Sequence, residues 1–322
     1  MYDIIGDTHG HYDELHALLL GMGYAYDAAG HNFSHPTRKA LFVGDFIDAG
    51  KQNLKVISLV QNMMASGAAK AVMGNHDYNA VHYTMADPDH PGEFLRKHNA
   101  NNTHQHSEFL NEVAGNPALH QSIIDWVKTL PVYFEDGDLH AIHACWDADA
   151  IAELKNLGAM NADGTLTDKG WLEGGRKGTV IYRLLETLLK GPEERLPPGL
   201  QYADAYGQIR TKGRVKWWNE TPKTYFDALS LPPKATFGNN LYVPATSSRD
   251  TVRLRNGLKK IALVAFGHYW MHGNTPAPLS DRAICVDWSV AKGGILAAYR
   301  YDGEKAFSAA KFYTAPKASL SP

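Results

Sequence analysis

The chain opens on a short apolar run, Tyr2-Asp3-Ile4-Ile5, that stops at Gly6. Leucines Leu15, Leu18 and Leu19 follow at helical spacing. The alternation then repeats. Ala40–Val43 reads as a strand ending at Gly44, and Leu54–Met64 as a helix with Val56, Ile57, Val60 and Met64 on one face. Ala69–Met73 is a third strand and stops at Gly74. This β-α-β-α-β order predicts a parallel sheet covered by helices.

Beyond it the pattern loosens. Asp87–Ser107 is a polar stretch rich in His and Asn. Helices are predicted over His106–Val113 and Pro117–Thr129, the second with proline in its first turn. Val132–Glu135 and Leu139–His143 form a strand pair across Asp136-Gly137. From about Asp147 to Lys260 the character changes. Helical segments, clearest at Gly178–Lys190, alternate with turns such as Gly191-Pro192 and Leu196-Pro197-Pro198-Gly199. The predicted organisation is therefore a core (1–146), an insertion or cap that shapes a substrate pocket (147–259), and completion of the core (260–322). Lys260–Phe266 is a strand in that last part. Ala283–Trp288, Ile295–Tyr301 and Phe307–Tyr313 are expected to be antiparallel strands, followed by a polar tail, Pro316–Pro322. There are no internal repeats.

Composition narrows the partners. The chain has 322 residues, 44% of them hydrophobic and 20% charged, as in a globular protein of the soluble class. A net charge of −2 makes no electrostatic case for nucleic acid or an anionic membrane. No apolar run approaches the roughly 18 residues of a membrane span, and Met1–Asp7 reads as a strand instead of a signal peptide, so a cytoplasmic location is expected. Cys145 and Cys285 are too few for a disulfide framework, which agrees with a reducing compartment.

Chemistry gathers where the strands end. Gly6-Asp7-Thr8-His9-Gly10, Gly44-Asp45-Phe46-Ile47-Asp48, Gly74-Asn75-His76-Asp77, Ile142-His143-Ala144 and Gly267-His268 each place a metal-capable group there. In open α/β sheets, ligands collect beyond the carboxyl ends of the strands. Carboxylate, amide oxygen and imidazole without thiolate suit manganese first, with iron, zinc or cobalt as alternatives. Asp45 has two oxygens with which to bridge a pair of ions, and such a pair clamps a phosphoryl group and activates a water. His140 lies out of phase with His143 in a period of two, so it faces the other side. His272 is a rival to His268 but lacks the preceding glycine.

These blocks, in this order, resemble the calcineurin-like metallophosphoesterases: Gly-Asp-X-His-Gly, Gly-Asp-X-X-Asp, Gly-Asn-His-Asp, then two separate histidines. The resemblance implies an α/β fold, a β-sandwich core flanked by helices (α/β/β/α) with an α-rich insertion. It implies that Asp7, His9 and Asp45 hold one divalent ion and that Asp45, Asn75, His143 and His268 hold a second. His76 would protonate the leaving alcohol, oriented by Asp48, while a hydroxide bridging the two ions attacks phosphorus in line.

Two departures point to a branch. Gly267-His268-Tyr269-Trp270 lacks the second histidine of a Gly-His-X-His ending, as in protein Ser/Thr phosphatases and diadenosine tetraphosphatases. That branch has Asp-Arg-Gly where this chain has Asp48-Ala49-Gly50, so the arginine that grips phosphate is missing. Arg210, Lys212, Arg214 and Lys216 alternate along one segment and read either as a solvated edge strand or as the replacement. Arg183 and Arg176-Lys177 are further candidates. His82, His104 and His106 read as a polar loop, Cys145 as a small buried residue, and Trp146 as packing beside the metal cluster. The expected activity is hydrolysis of phosphate monoesters, including phosphoserine or phosphothreonine in proteins. The alternative is a dinucleoside polyphosphate hydrolase, and a scaffold without catalysis ranks last.

Overall fold

The computed structural model describes residues 1–28, 30, 32–196, 198–203, 209–231 and 260–315. Its first strand, β1 (Tyr2–Ile5), buries Ile4 on one face and Ile5 on the other. Helix α1 (Tyr12–Gly21), the small pair β2 (Ala25–Tyr26) and β3 (Phe33–Ser34), β4 (Lys39–Phe42), α2 (Asn53–Ala65) and β5 (Ala69–Ala71) follow. Then come α3 (Asn75–Thr84), α4 (Ala100–Gln105), α5 (Ser107–Val113), α6 (Pro117–Lys128), β6 (Tyr133–Asp136) and β7 (Leu139–Ile142). The next segment holds α7 (Ala148–Asn156), α8 (Asp168–Gly175), α9 (Val180–Lys190), β8 (Glu193–Arg195), β9 (Tyr202–Ala203), β10 (Ile209–Arg210), β11 (Lys212–Val215), α10 (Tyr225–Ala228) and β12 (Leu229–Ser230). The chain ends with β13 (Leu263–Phe266), β14 (Ala283–Cys285), β15 (Ala297–Tyr301) and β16 (Phe312–Thr314).

Two sheets carry the core. One runs β16-β15-β1-β4-β5, with β1, β4 and β5 parallel and β15 antiparallel to β1. The other runs β14-β13-β7-β6. Strand alternation divides their side chains. Ile4, Leu41 and Val43 from the first sheet meet Ala141, Leu263, Ala265 and Ile284 from the second, while Ile5, Phe42, Ile142 and Phe266 turn outward beneath the helices. The result is the expected α/β/β/α sandwich. Buried Asp3 ties its ends together, accepting from Arg38 Nε at 2.8 Å and Arg300 Nε at 3.0 Å.

The segment after β7 is bound to this core. In α9, Ile181, Leu185, Leu188 and Leu189 form a buried stripe at helical spacing. The Leu188 carbonyl accepts from the Ala144 and Cys145 amides at 3.2 and 3.1 Å. Trp217 Nε1 donates to the Ala144 carbonyl at 3.0 Å. Both cysteines are buried thiols. The last part of the predicted insertion, 232–259, and the polar tail, 316–322, lie outside the described residues.

Three expectations are corrected. β14 runs parallel to β13, pairing Val264 with Ala283, because residues 267–282 are long enough to return the chain to the same end of the sheet. Helix α3 was not anticipated: its buried face (Asp77, Tyr78, Val81, His82) is largely polar and aromatic, so apolar periodicity does not reveal it. Helix α4 falls within the stretch read as polar. It buries no residue and is held by its cap, Asn99 accepting from the Asn102 amide at 2.9 Å.

Candidate metal centre

The five strand exits converge. Asp7 follows β1, Asp45 follows β4, Asn75 opens α3 after β5, His143 follows β7 and His268 follows β13. The backbone is strained there: His9, Asp45, Asp48, Ala49 and His268 have φ of 43°, 54°, 72°, 59° and 66°. Non-glycine residues persist in this region only where their surroundings hold them, and such strain concentrates at functional sites. Asp77 is one of the braces. Its carboxylate accepts from the amides of Asp45 at 2.8 Å, Gly74 at 2.9 Å and Phe46 at 3.0 Å, joining the exit of β4 to the start of α3.

The same logic orients the donor atoms. Asp45 Oδ1 accepts from the His76 amide at 2.8 Å, which leaves Oδ2 at 3.4 Å from both His9 Nε2 and His143 Nε2. His9 Nδ1 donates to the Ile47 carbonyl at 2.9 Å and His143 Nδ1 to the Val43 carbonyl at 2.8 Å, so in the neutral rings each Nε2 keeps its lone pair. His143 Nε2 lies 3.0 Å from Asn75 Oδ1. Asp7 Oδ2 accepts from the His268 amide at 2.9 Å. Asp7 Oδ1 and His268 Nε2 are buried without a partner. Ligand atoms of His9, Asp45 and His76 lie within 4.8 Å of one another, as do those of Asp45, His143 and His268.

Electrostatics fits the same use. Burial, then the charges of Asp287 and Asp45, push the Asp7 carboxyl well above the usual range, a penalty that a cation would remove. Burial holds His9 down at about 4, so its ring is neutral and able to ligate. Burial works against a proton on His143, but the Asp45 charge outweighs it and raises the pKa. Proton and metal compete for that lone pair, and the same charge favours a divalent ion. Orphaned buried donors, shared carboxylate and donor chemistry therefore fit a pair of divalent ions.

Beside the cluster, Asp48 Oδ2 accepts from His76 Nδ1 at 2.6 Å. Its other oxygen accepts from His106 Nδ1 at 2.7 Å. Burial penalises the Asp48 charge, but the hydrogen bonds from His106 and His76 dominate and bring its pKa to about 2. Burial likewise opposes the His76 imidazolium; the charge of Asp45 and the bond to Asp48 outweigh it and raise its pKa.

The eight residues read as ligands or catalytic groups thus come together, and the rivals stand aside. His140 turns to Glu135 and Trp146 on the other side of its strand, and His272 is exposed. Trp146 packs on Tyr133 and His140, not beside the cluster. The arginines separate. Arg210 is exposed on β10 and Arg183 on α9. Arg176 is bound to Glu173 and Asp89. Arg214 is half-buried, its guanidinium 5.7 Å from the Tyr269 ring and its Nε unpartnered. With burial, its charge depresses the pKa of His268. Of the histidines read as a polar loop, His104 is exposed, but His82 and His106 are buried. Arg96 was also missed: half-buried, it lies in the field of Asp48 and donates to Gln105 Oε1 at 3.0 Å. The polar stretch Asp87–Ser107 is the only sequence sign of His106 and Arg96.

Candidate metal donors thus stand at the strand ends of a twin-sheet sandwich. The chain belongs to the calcineurin-like phosphoesterases, whose family profile matches residues 2–269. It is 46% identical over 85 residues to the bis(5'-nucleosyl)-tetraphosphatase PrpE (asymmetrical) of Halalkalibacterium halodurans, covering 26% of this chain and 34% of that one. It is 30% identical over 154 residues to the protein of that name in Bacillus subtilis, covering 47% and 60%. The matches thus span less than two thirds of either relative. A protein serine/threonine phosphatase from Saccharomyces cerevisiae shares the fold, with TM-score 0.51 at 12% identity, covering 97% of this chain and 78% of that one. Among the described residues, no helix is long and apolar enough to cross a membrane.

Proposed function

We propose that the protein is a metal-dependent phosphohydrolase whose substrate is a bis(5'-nucleosyl) polyphosphate such as diadenosine tetraphosphate. The activity rests on one observation: a single Asp45 oxygen is equidistant from His9 Nε2 and His143 Nε2, at 3.4 Å each, beside the His76–Asp48 pair. Asp7, His9 and Asp45 would hold one ion, and Asp45, Asn75, His143 and His268 the other, with manganese as the first choice. When bound, such ions would supply positive charge against the phosphoryl group and make a nearby water more acidic. His76 is distinct from the ligands: its Nδ1 serves a carboxylate, and its side chain is 24% exposed where those of His9 and His143 are 5% and 0%. It donates a proton to the departing oxygen while Asp48 orients it. Arg214 takes the phosphate-holding part that Ala49 leaves open, and the described part of the segment after β7 shapes the pocket.

The choice of substrate rests on the two PrpE relatives. It puts the dinucleoside polyphosphate reading ahead of the phosphomonoester reading, whose only support here is a likeness of fold. The test is to assay purified protein with Mn, Zn or Fe against diadenosine tetraphosphate, a phosphoserine peptide and p-nitrophenyl phosphate. Faster turnover of the dinucleotide is expected. A clear preference for the peptide would overturn the substrate assignment.

A further inference from the structure

Asp48 carries two imidazoles. His76 occupies Oδ2, and His106, 58 residues away in sequence, occupies Oδ1 at 2.7 Å. His106 sits at the junction of α4 and α5 and is only 4% exposed. Its ring is held between Tyr83, with centroids 5.2 Å apart, and Phe109, at 5.1 Å, and its Nε2 is buried without a partner. Nothing else among its described contacts explains why a polar ring is placed there. A carboxylate bonded at one oxygen retains freedom to rotate about its Cβ–Cγ bond. A second donor, fixed by aromatic packing, removes that freedom and with it the freedom of His76.

We propose that His106 is a positioning residue for the reaction proposed above, on which this inference rests. By donating to Asp48 Oδ1 it locks the carboxylate plane in which Asp48 aims His76 Nε2 at the departing oxygen. The role specific to this chain is a His106–Asp48–His76 array, with the outer imidazole supplied by a segment that reads as a polar loop.

The test compares wild type with His106→Leu and His106→Asn on two esters in the presence of manganese. p-Nitrophenyl phosphate releases a stabilised anion that needs little protonation, and phenyl phosphate a poorer leaving group. His106→Leu should lose roughly tenfold in kcat on phenyl phosphate and less on p-nitrophenyl phosphate, with KM and metal content retained. His106→Asn, whose amide N–H falls near the position of Nδ1, should recover most of the loss. In a His76→Ala background the leucine change should add little. Equal loss on both esters, or a loss that adds in full to His76→Ala, overturns the proposal. Imidazole 15N NMR of the zinc-loaded protein, at a pH high enough to leave the His76 ring neutral, gives a readout apart from activity: the remaining proton should stay on Nδ1 in wild type and be shared between tautomers in His106→Leu. An unchanged His76 signal would also overturn it. Wild-type protein inactive on both esters and on diadenosine tetraphosphate would instead refute the phosphohydrolase reading, and the NMR comparison would still decide the role of His106.

Discussion

Asp7 Oδ1 fills the space that a side chain on Gly267 would need: a Cβ built there comes 2.0 Å from that oxygen. Asp7 leaves β1 and Gly267 leaves β13, so this contact joins the two sheets at the candidate metal centre. Gly267→Ala should displace Asp7, lower metal affinity by more than about tenfold and cost roughly 1–3 kcal/mol of stability from overpacking. Metal titration and urea unfolding measure both. Affinity equal to wild type would show that Asp7 Oδ1 is not a ligand.

Asp45 and His76 are neighbours with opposite expected phenotypes. Asp45→Asn removes the carboxylate charge that His9 and His143 share, and elemental analysis should find both ion positions depleted. His76→Ala should keep the metal and lose about 100-fold or more in kcat on a poor leaving group. Loss of metal from the His76 variant would mean that it is a ligand, as its distance from His9 and Asp45 permits.

Arg214 should differ from the other two arginines. Its Nε is buried and unpartnered beside Tyr269, whereas Arg210 and Arg183 are exposed. A charge-assisted hydrogen bond to phosphate contributes about 1.5–3 kcal/mol, so Arg214→Ala should lower kcat/KM by roughly 10–100-fold. Arg183→Ala should change it little. Steady-state kinetics on diadenosine tetraphosphate would sink the assignment if the two variants behaved alike.

His82 couples stability to pH away from the candidate metal donors. It lies buried on α3, and its Nε2 donates to the Trp171 carbonyl of α8 at 2.7 Å. Burial lowers its pKa from 6.5 to about 4. Between those values the unfolded chain binds a proton that the folded chain does not. Its stabilising contribution is therefore complete above pH 6.5 and falls as pH drops toward 4, by roughly 3 kcal/mol. His82→Gln keeps an N–H donor and does not titrate. Urea unfolding across that range should show a shallower acid loss for the variant, and parallel curves would count against this account.

The candidate donor set was legible because each member is written locally. A strand ending at glycine and then Asp, Asn or His places a donor at the strand's carboxyl end, and the short strands betray themselves by composition. Alternation alone separated His143 from His140. What pattern could not show were relationships with no local signature. Polar α3 hides its period, β14 takes its direction from a long return connection, and Asp77 braces a loop 31 residues behind it.

The sequence by itself therefore determined that several donors stand at strand ends, and with them the class of chemistry. Only the tertiary structure decided which imidazole reaches Asp48 Oδ1, which arginine enters the field of His268, and how Gly267 makes room for Asp7. The reason is physical. Backbone turns and burial follow from neighbours a few residues away, whereas hydrogen bonds and charges act through space, between atoms that packing brings to within a few ångströms.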